Sequence, residues 1–143
     1  MRFAFVAGPC ILPMRNCSHV SYLNSYTKTI GQLMLQDIIS KIEEKIQDSS
    51  AIKSENRAEL LTLMETLRSE ITELSKTHRE QAQSIAGFTE VSAHEATRKE
   101  PKPELIDLSV KGLSSSVEDL EESHPQLVAI VNRICTILSN MGI

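Results

Sequence analysis

Apolar residues recur at steps of three and four along most of this chain, most regularly near its carboxyl end. Over 104–143 they fall at Ile106, Val110, Leu113, Val117, Leu120, Leu127, Val131, Ile134, Leu138 and Met141, with His124 at the one seam position that is not apolar. Steps that alternate four and three keep one stripe of a helix turned towards a partner helix. Ser123 to Gln126 reads as a capping box, Ser-x-x-Gln with Pro125 in the first turn, which would start a fresh helix. The stripe nevertheless keeps phase from Leu120 through His124 to Leu127, so the expectation is one long helix over 104–143, kinked at Pro125. Gly142 is placed to cap it, with Ile143 folding back on the last turn.

Two shorter patterns precede it. Leu35, Ile38, Ile39, Ile42 and Ile46 predict a first helix of about three turns, ended by Asp48, Ser49 and Ser50. Ser54 is a good N-cap for a second helix, with Glu55 in its first turn and a stripe of Leu60, Met64, Leu67, Ile71 and Leu74. His78 and Gln81 weaken that stripe before Ile85 and Phe88 resume it, so the spacing predicts one long helix to about Phe88, with His78 and Gln81 facing water beyond the end of the shorter partner. Residues 34–88 then form an antiparallel helical hairpin. From 89 to 103 the stripe dissolves into polar and charged residues and ends in Lys-Glu-Pro-Lys-Pro, which reads as a linker, with His94 and Glu95 on the surface.

Residues 1–33 differ in kind, holding both tyrosines, Phe3, Phe5, Cys10 and Cys17 but no acidic residue. The apolar run after Arg2 contains Gly8 and Pro9 and lacks a clean cleavage site, which argues against a secretory leader. The segment is expected either to lie upstream of a true start at Met34 or to be a poorly ordered tail held down where Leu23, Ile30 or Leu33 docks. Without it the chain has 12 basic against 19 acidic residues, a net charge of −7 in place of −4.

Composition sharpens this picture. Aromatics make up 3% of the 143 residues and tryptophan is absent, so the core must come from Leu, Ile, Val, Met and Ala, which favours helix-on-helix packing. A pI near 5.6 with acids interspersed among the few basic clusters argues against nucleic acid as a partner. No stretch approaches the roughly 20 apolar residues needed to span a bilayer, and Arg133 is the only basic residue on the polar side of the last helix, so no membrane partner is expected. Three cysteines, Cys10, Cys17 and Cys135, make a poor disulfide framework and fit a reduced cytoplasm. Cys135 lies on the apolar side of its helix, as a small hydrophobe.

The run Ser116-Val-Glu-Asp-Leu-Glu-Glu-Ser-His124-Pro125-Gln-Leu, with Arg133-Ile134 and the ending Leu138-Ser-Asn-Met141-Gly142-Ile143, resembles the C-terminal signature of a small bacterial all-helical family known only as a domain of unknown function. The stretch from Met34 to about Leu74, including Ser54-Glu55-Asn56-Arg57, is similar to that family's N-terminal half. The resemblance implies a helical fold and carries no activity, cofactor or site.

One spacing bears on chemistry. Glu121-x-x-His124 sets a carboxylate and an imidazole one helical turn apart, the half-motif of four-helix di-metal sites, which need two such pairs and two further inward carboxylates. Glu65, Glu70 and Glu73 lie off the seam, so no metal or other cofactor is expected. There is no phosphate-binding glycine loop and no nucleophile with a placed histidine. The reading is an all-α, coiled-coil-like bundle that acts as a non-enzymatic interaction or structural module. Beyond Pro125 the apolar face is too wide for one partner helix, so it is expected to assemble as a homodimer or tetramer through Leu127, Val131, Ile134, Leu138 and Met141. The alternative from another class is a metal-binding bundle using Glu121 and His124.

Overall fold

The stripes fold into five α-helices and one 3-10 turn: α1 (Cys17–Asp48), α2 (Ser54–Ser75), α3 (Arg79–Ala96), α4 (Pro103–Ser115), the turn Glu118–Leu120 and α5 (Pro125–Met141). The computed structural model describes residues 17–141, with side chains from 25 onward. No strand is found among these residues, and the protein is all-α. The chain divides into two units, Met1–Gly31 and Gln32–Ile143, and the helical core lies within the second. The readings of residues 1–16 and of Gly142 and Ile143 lie outside the described residues. α1 passes through Met34 without a break and is far longer than three turns, while Leu33, expected to dock, is 59% exposed.

Each apolar stripe is buried where its spacing placed it. Leu35, Ile39, Ile42 and Ile46 on α1 and Leu60, Met64, Leu67, Ile71 and Leu74 on α2 join one core with Ile106, Val110 and Leu113 on α4 and the inner face of α5. Burying a side chain of this size contributes about 1.5–3 kcal/mol, and this sets the phase of every helix. Short connections make successive helices antiparallel. Helix α2 packs on α3, α3 on α4, α4 on α5 and α5 back on α2, closing a four-helix ring in chain order. Helix α1 lies along α2, where Arg68 donates to Glu43 at 2.6 Å, Gln36 at 3.1 Å and Ser40 at 3.3 Å, and Gln36 donates to Thr72 at 2.7 Å. The loop between them is closed by Arg57, which donates to the carbonyl oxygens of Ser49 and Ile52, rather than by a cap from Ser54: the N-cap position is Lys53 and has no side-chain capping bond.

Three further expectations need correction. The long second helix breaks at 76–78, where Lys76 and Thr77 tighten into 3-10-type bonds and His78 leaves helical geometry at φ −129° and ψ 68°. Ser75 and Thr77 turn their hydroxyls onto the carbonyls of Thr72 and Leu74, the local competition that ends a helix without glycine or proline. Phe88, read as a seam residue of that helix, is 40% exposed.

The linker expected over 89–103 is helical as far as Ala96. Its core side is Ala82, Ile85, Ala86, Thr89, Ser92, Ala93 and Ala96, a helical stripe made mainly of small residues. The buried hydroxyls of Thr89 and Ser92 donate to the carbonyls of Ile85 and Phe88, each at 2.7 Å, so the stripe buries no unsatisfied donor. Only 97–102 is left as connection, and Pro103 opens α4, where its missing N–H costs nothing.

The C-terminal segment is a corner, not a kinked helix. α4 ends after Ser115, the hydroxyl of Ser116 donates to Leu113 O at 2.6 Å, and α5 starts afresh at Pro125. Proline cannot donate within a helix interior, and the serine run ahead of it favours local side-chain bonds, so together they win over the unbroken phase of the stripe. No residue among those described, glycine included, has a positive φ, so all these turns use right-handed or extended backbone.

Candidate functional site

The corner decides where the residues expected to matter lie. Glu121 directly follows the 3-10 turn and is exposed, and His124 holds the position before α5, half-buried. They are not one α-helical turn apart on an inward face, so the half-motif of a di-metal bundle is not assembled. Among the described residues no group of three or more His, Cys, Asp and Glu is placed to hold a metal ion.

Leu127, Val131 and Ile134 are fully buried, Leu138 is 1% exposed, and Met141 packs partly buried on the core. Their stripe is wide because α2, α3 and α4 all border α5. In the folded chain these side chains offer little surface to a second copy. Cys135 is sealed in the same layer, its Sγ 3.8 Å from Val110 O, and burial pushes its thiol up to about 11, which removes it as a nucleophile at neutral pH.

The apolar surface that does face solvent lies on the outer side of the α3–α4 hairpin. Phe88 and Val91 on α3 are 40% and 49% exposed, and Leu105 and Leu108 on α4 are 37% and 68% exposed. The pairs are spaced three apart and lie outside the core stripe of each helix. The Phe88 ring rests on Gly112, where a Cβ would overlap its Cε1 and Cδ1, and this contact fixes the register of the two helices. In antiparallel register this brings Val91 and Leu108 to about the same level, with Leu105 level with Glu95, so the four apolar side chains share the outer side of the hairpin. Ser84 on α3 and Ser115 on α4 share these outer faces, as do the charged residues Glu95 and Lys111. Asp107 and Lys111 pair across one turn of α4 at 2.9 Å on the polar flank. Sequence reasoning missed this patch because it sought the stripe with most apolar residues; the signal was Phe88-x-x-Val91 and Leu105-x-x-Leu108 lying off the core phase.

Concavity among the described residues includes a polar site. A shallow cleft of about 450 Å³ between the ends of α1 and α3 is lined by Lys41, Glu44, Lys45, Asp48, Ser49, Glu90, His94, Thr97 and Arg98. Lys45 Nζ sits 3.2 Å from His94 Nδ1, and Arg98 is held by Glu95 at 2.7 Å. The cations stand beside two helix C-termini, where the helix dipoles favour them, and the acids balance them. His94 is exposed, as expected, and Glu95 is half-buried.

Among the described residues no helix is long and apolar enough to cross a membrane. No curated protein and no solved structure matches the chain. A family model does match, over residues 60–143, which is more than half of the sequence. The match starts inside α2, not near Met34, and takes in the four-helix ring from there to its end while leaving α1 outside. The chain belongs to the family described as Domain of unknown function (DUF4404).

Proposed function

We propose that this protein is a non-enzymatic helical interaction module that assembles with a second copy of itself through the outer face of α3 and α4. The observation that carries the reading is the exposed patch of Phe88, Val91, Leu105 and Leu108 on a rigid hairpin. Together these side chains expose roughly 350 Å², the size of the largest apolar patch on an ordinary monomer, which is often functional. A second copy suits it for two reasons. The chain carries a net charge of −4, but the charges on this side come as pairs of both signs, Glu95 with Arg98 and Asp107 with Lys111, so a two-fold contact brings no net like charge together. Asp107 and Lys111 on the flank provide both signs, so the same two-fold can set each against its opposite on the other copy.

The patch is less than half of the ~800 Å² that each partner gives to a standard interface, so the small residues around it must join the contact and the assembly is weak, with a Kd on the order of 10–100 µM. Sedimentation of the full chain over a concentration series tests this. A monomer–dimer equilibrium that Leu108→Glu abolishes, with the helical circular dichroism retained, supports the reading. A monomer throughout the series, or a dimer that Leu108→Glu leaves intact, overturns it.

A further inference from the structure

His124 lacks the helical partner its spacing suggested, but it has another. The ring of His78, from the turn between α2 and α3, stands edge-on to it with centroids 6.2 Å apart and planes at 83°. The two residues are far apart in the sequence and meet because both breaks in the helical pattern fall at one end of the four-helix ring. Each imidazole is oriented through the same nitrogen: His78 Nδ1 lies 2.8 Å from Thr77 Oγ1, and His124 Nδ1 lies 3.0 Å from Ser123 Oγ. When the Thr77 hydroxyl donates to the Leu74 carbonyl, 3.4 Å away, its oxygen accepts from His78 Nδ1–H. That tautomer puts the imidazole's lone pair on Nε2. A hydroxyl or carbonyl on one imidazole nitrogen that presents the other to a metal is the usual outer-shell arrangement of histidine ligands.

We propose that His78 and His124 form a surface site for a divalent transition-metal ion of borderline softness, Zn²⁺, Cu²⁺ or Ni²⁺, bound through the two Nε2 atoms with water completing the shell. An ion bound at about 2.1 Å by Nε2 lies roughly 3 Å from that imidazole's centre, so two ligating imidazoles can stand up to about 6 Å apart across it. Ligation at the tetrahedral angle brings the two centroids to about 5 Å, so binding requires both rings to turn from the observed edge-to-face contact at 6.2 Å. Imidazole donors favour these ions over Mg²⁺ and Ca²⁺, which take oxygen ligands. The bound ion would tie the α2–α3 turn to the corner before α5 and so stabilise the folded bundle in proportion to its occupancy.

Chelator-treated full-length protein titrated with Zn²⁺ or Ni²⁺ alone tests the proposal, read by calorimetry and by thermal unfolding. The expected result is a rise in Tm and binding that His78→Gln and His124→Gln each weaken on the order of tenfold or more, while His94→Ala leaves it unchanged. Histidine NMR adds a local readout: substoichiometric Cu²⁺ should broaden the His78 and His124 ring signals before that of His94. Circular dichroism establishes that the variants are folded. Absence of any metal-induced shift overturns the proposal, as does binding that survives the double substitution, which would locate the ion elsewhere in the chain.

Discussion

The inner face of α5 and the outer face of the α3–α4 hairpin are both apolar, but only the first is covered by its own chain. On α5, Leu127, Val131 and Ile134 are fully buried, whereas Leu108 on α4 is 68% exposed and Val91 on α3 49%. The more apolar of the two faces is the one that its own chain covers. A stripe's width reports how many neighbours a helix needs, and α5 finds three within the ring. The narrower patch on α3 and α4 is left over after the core is complete, and leftover apolar surface is what association uses.

Truncation should separate the two faces by the largest margin. Leu127→Ala is expected to cost about 2–5 kcal/mol of unfolding free energy, and Leu108→Ala no more than about 0.5 kcal/mol, both read from urea denaturation of dilute protein. Equal losses would mean that the outer face is packed after all. A chemical probe extends the contrast. With its thiol pushed up to about 11, Cys135 should react with iodoacetamide at pH 8 roughly 100-fold more slowly than a free thiol and at the ordinary rate in denaturant, as followed by peptide mass mapping.

Arg68 tests whether α1 belongs to the same folding unit as the ring. Arg68→Met removes its bonds to Glu43, Gln36 and Ser40 and should lower stability by about 1–2 kcal/mol in a single urea transition. Two transitions would show that α1 comes away on its own. The glycines of the outer face sharpen the comparison further. Gly87 has open space where a Cβ would go, so Gly87→Ala should stabilise by about 0.5–1 kcal/mol. Gly112→Ala gains the same helix propensity but displaces the Phe88 ring, so its net gain should be smaller and its dimer weaker than that of Gly87→Ala.

The smallest effect is expected at Glu59 and Arg133, the ion pair from α2 to α5 at 2.5 Å. The hydrogen bond from Arg133 holds the Glu59 carboxyl below its usual range, so the contribution of the pair is present above the ordinary carboxylate pKa and disappears as pH falls through the lowered value. Both groups are in solvent, and Glu59→Gln should leave the urea midpoint unchanged within error at physiological salt.

Much of this fold could be read in advance, since the large aliphatic residues carry both the helical period and the burial. Leu60, Met64, Leu67, Ile71 and Leu74 lie at 0% exposure, where their spacing put them. The breaks were hidden because phase survives them: Leu74 to Ile85 and Leu120 to Leu127 stay in step across turns that local hydroxyl and proline chemistry imposes. The second half of α3 was hidden because Thr89, Ser92, Ala93 and Ala96 build a core face from residues that a polarity scale assigns to linkers. Their spacing by three and four was the available signal. Of the candidate sites, His124 was singled out on its spacing from Glu121, but its meeting with His78 depends on a corner that the spacing argued against.

Turns that never enter left-handed backbone place few demands on the residues that form them. Loop positions at 49–53, 76–78, 97–102 and 116–124 are therefore free, as far as conformation goes, to accept most L-amino acids. With Ile52, Val117 and Leu120 kept as the anchors that these loops give to the core, the ring can hold its interior constant while its rims change by surface replacement alone.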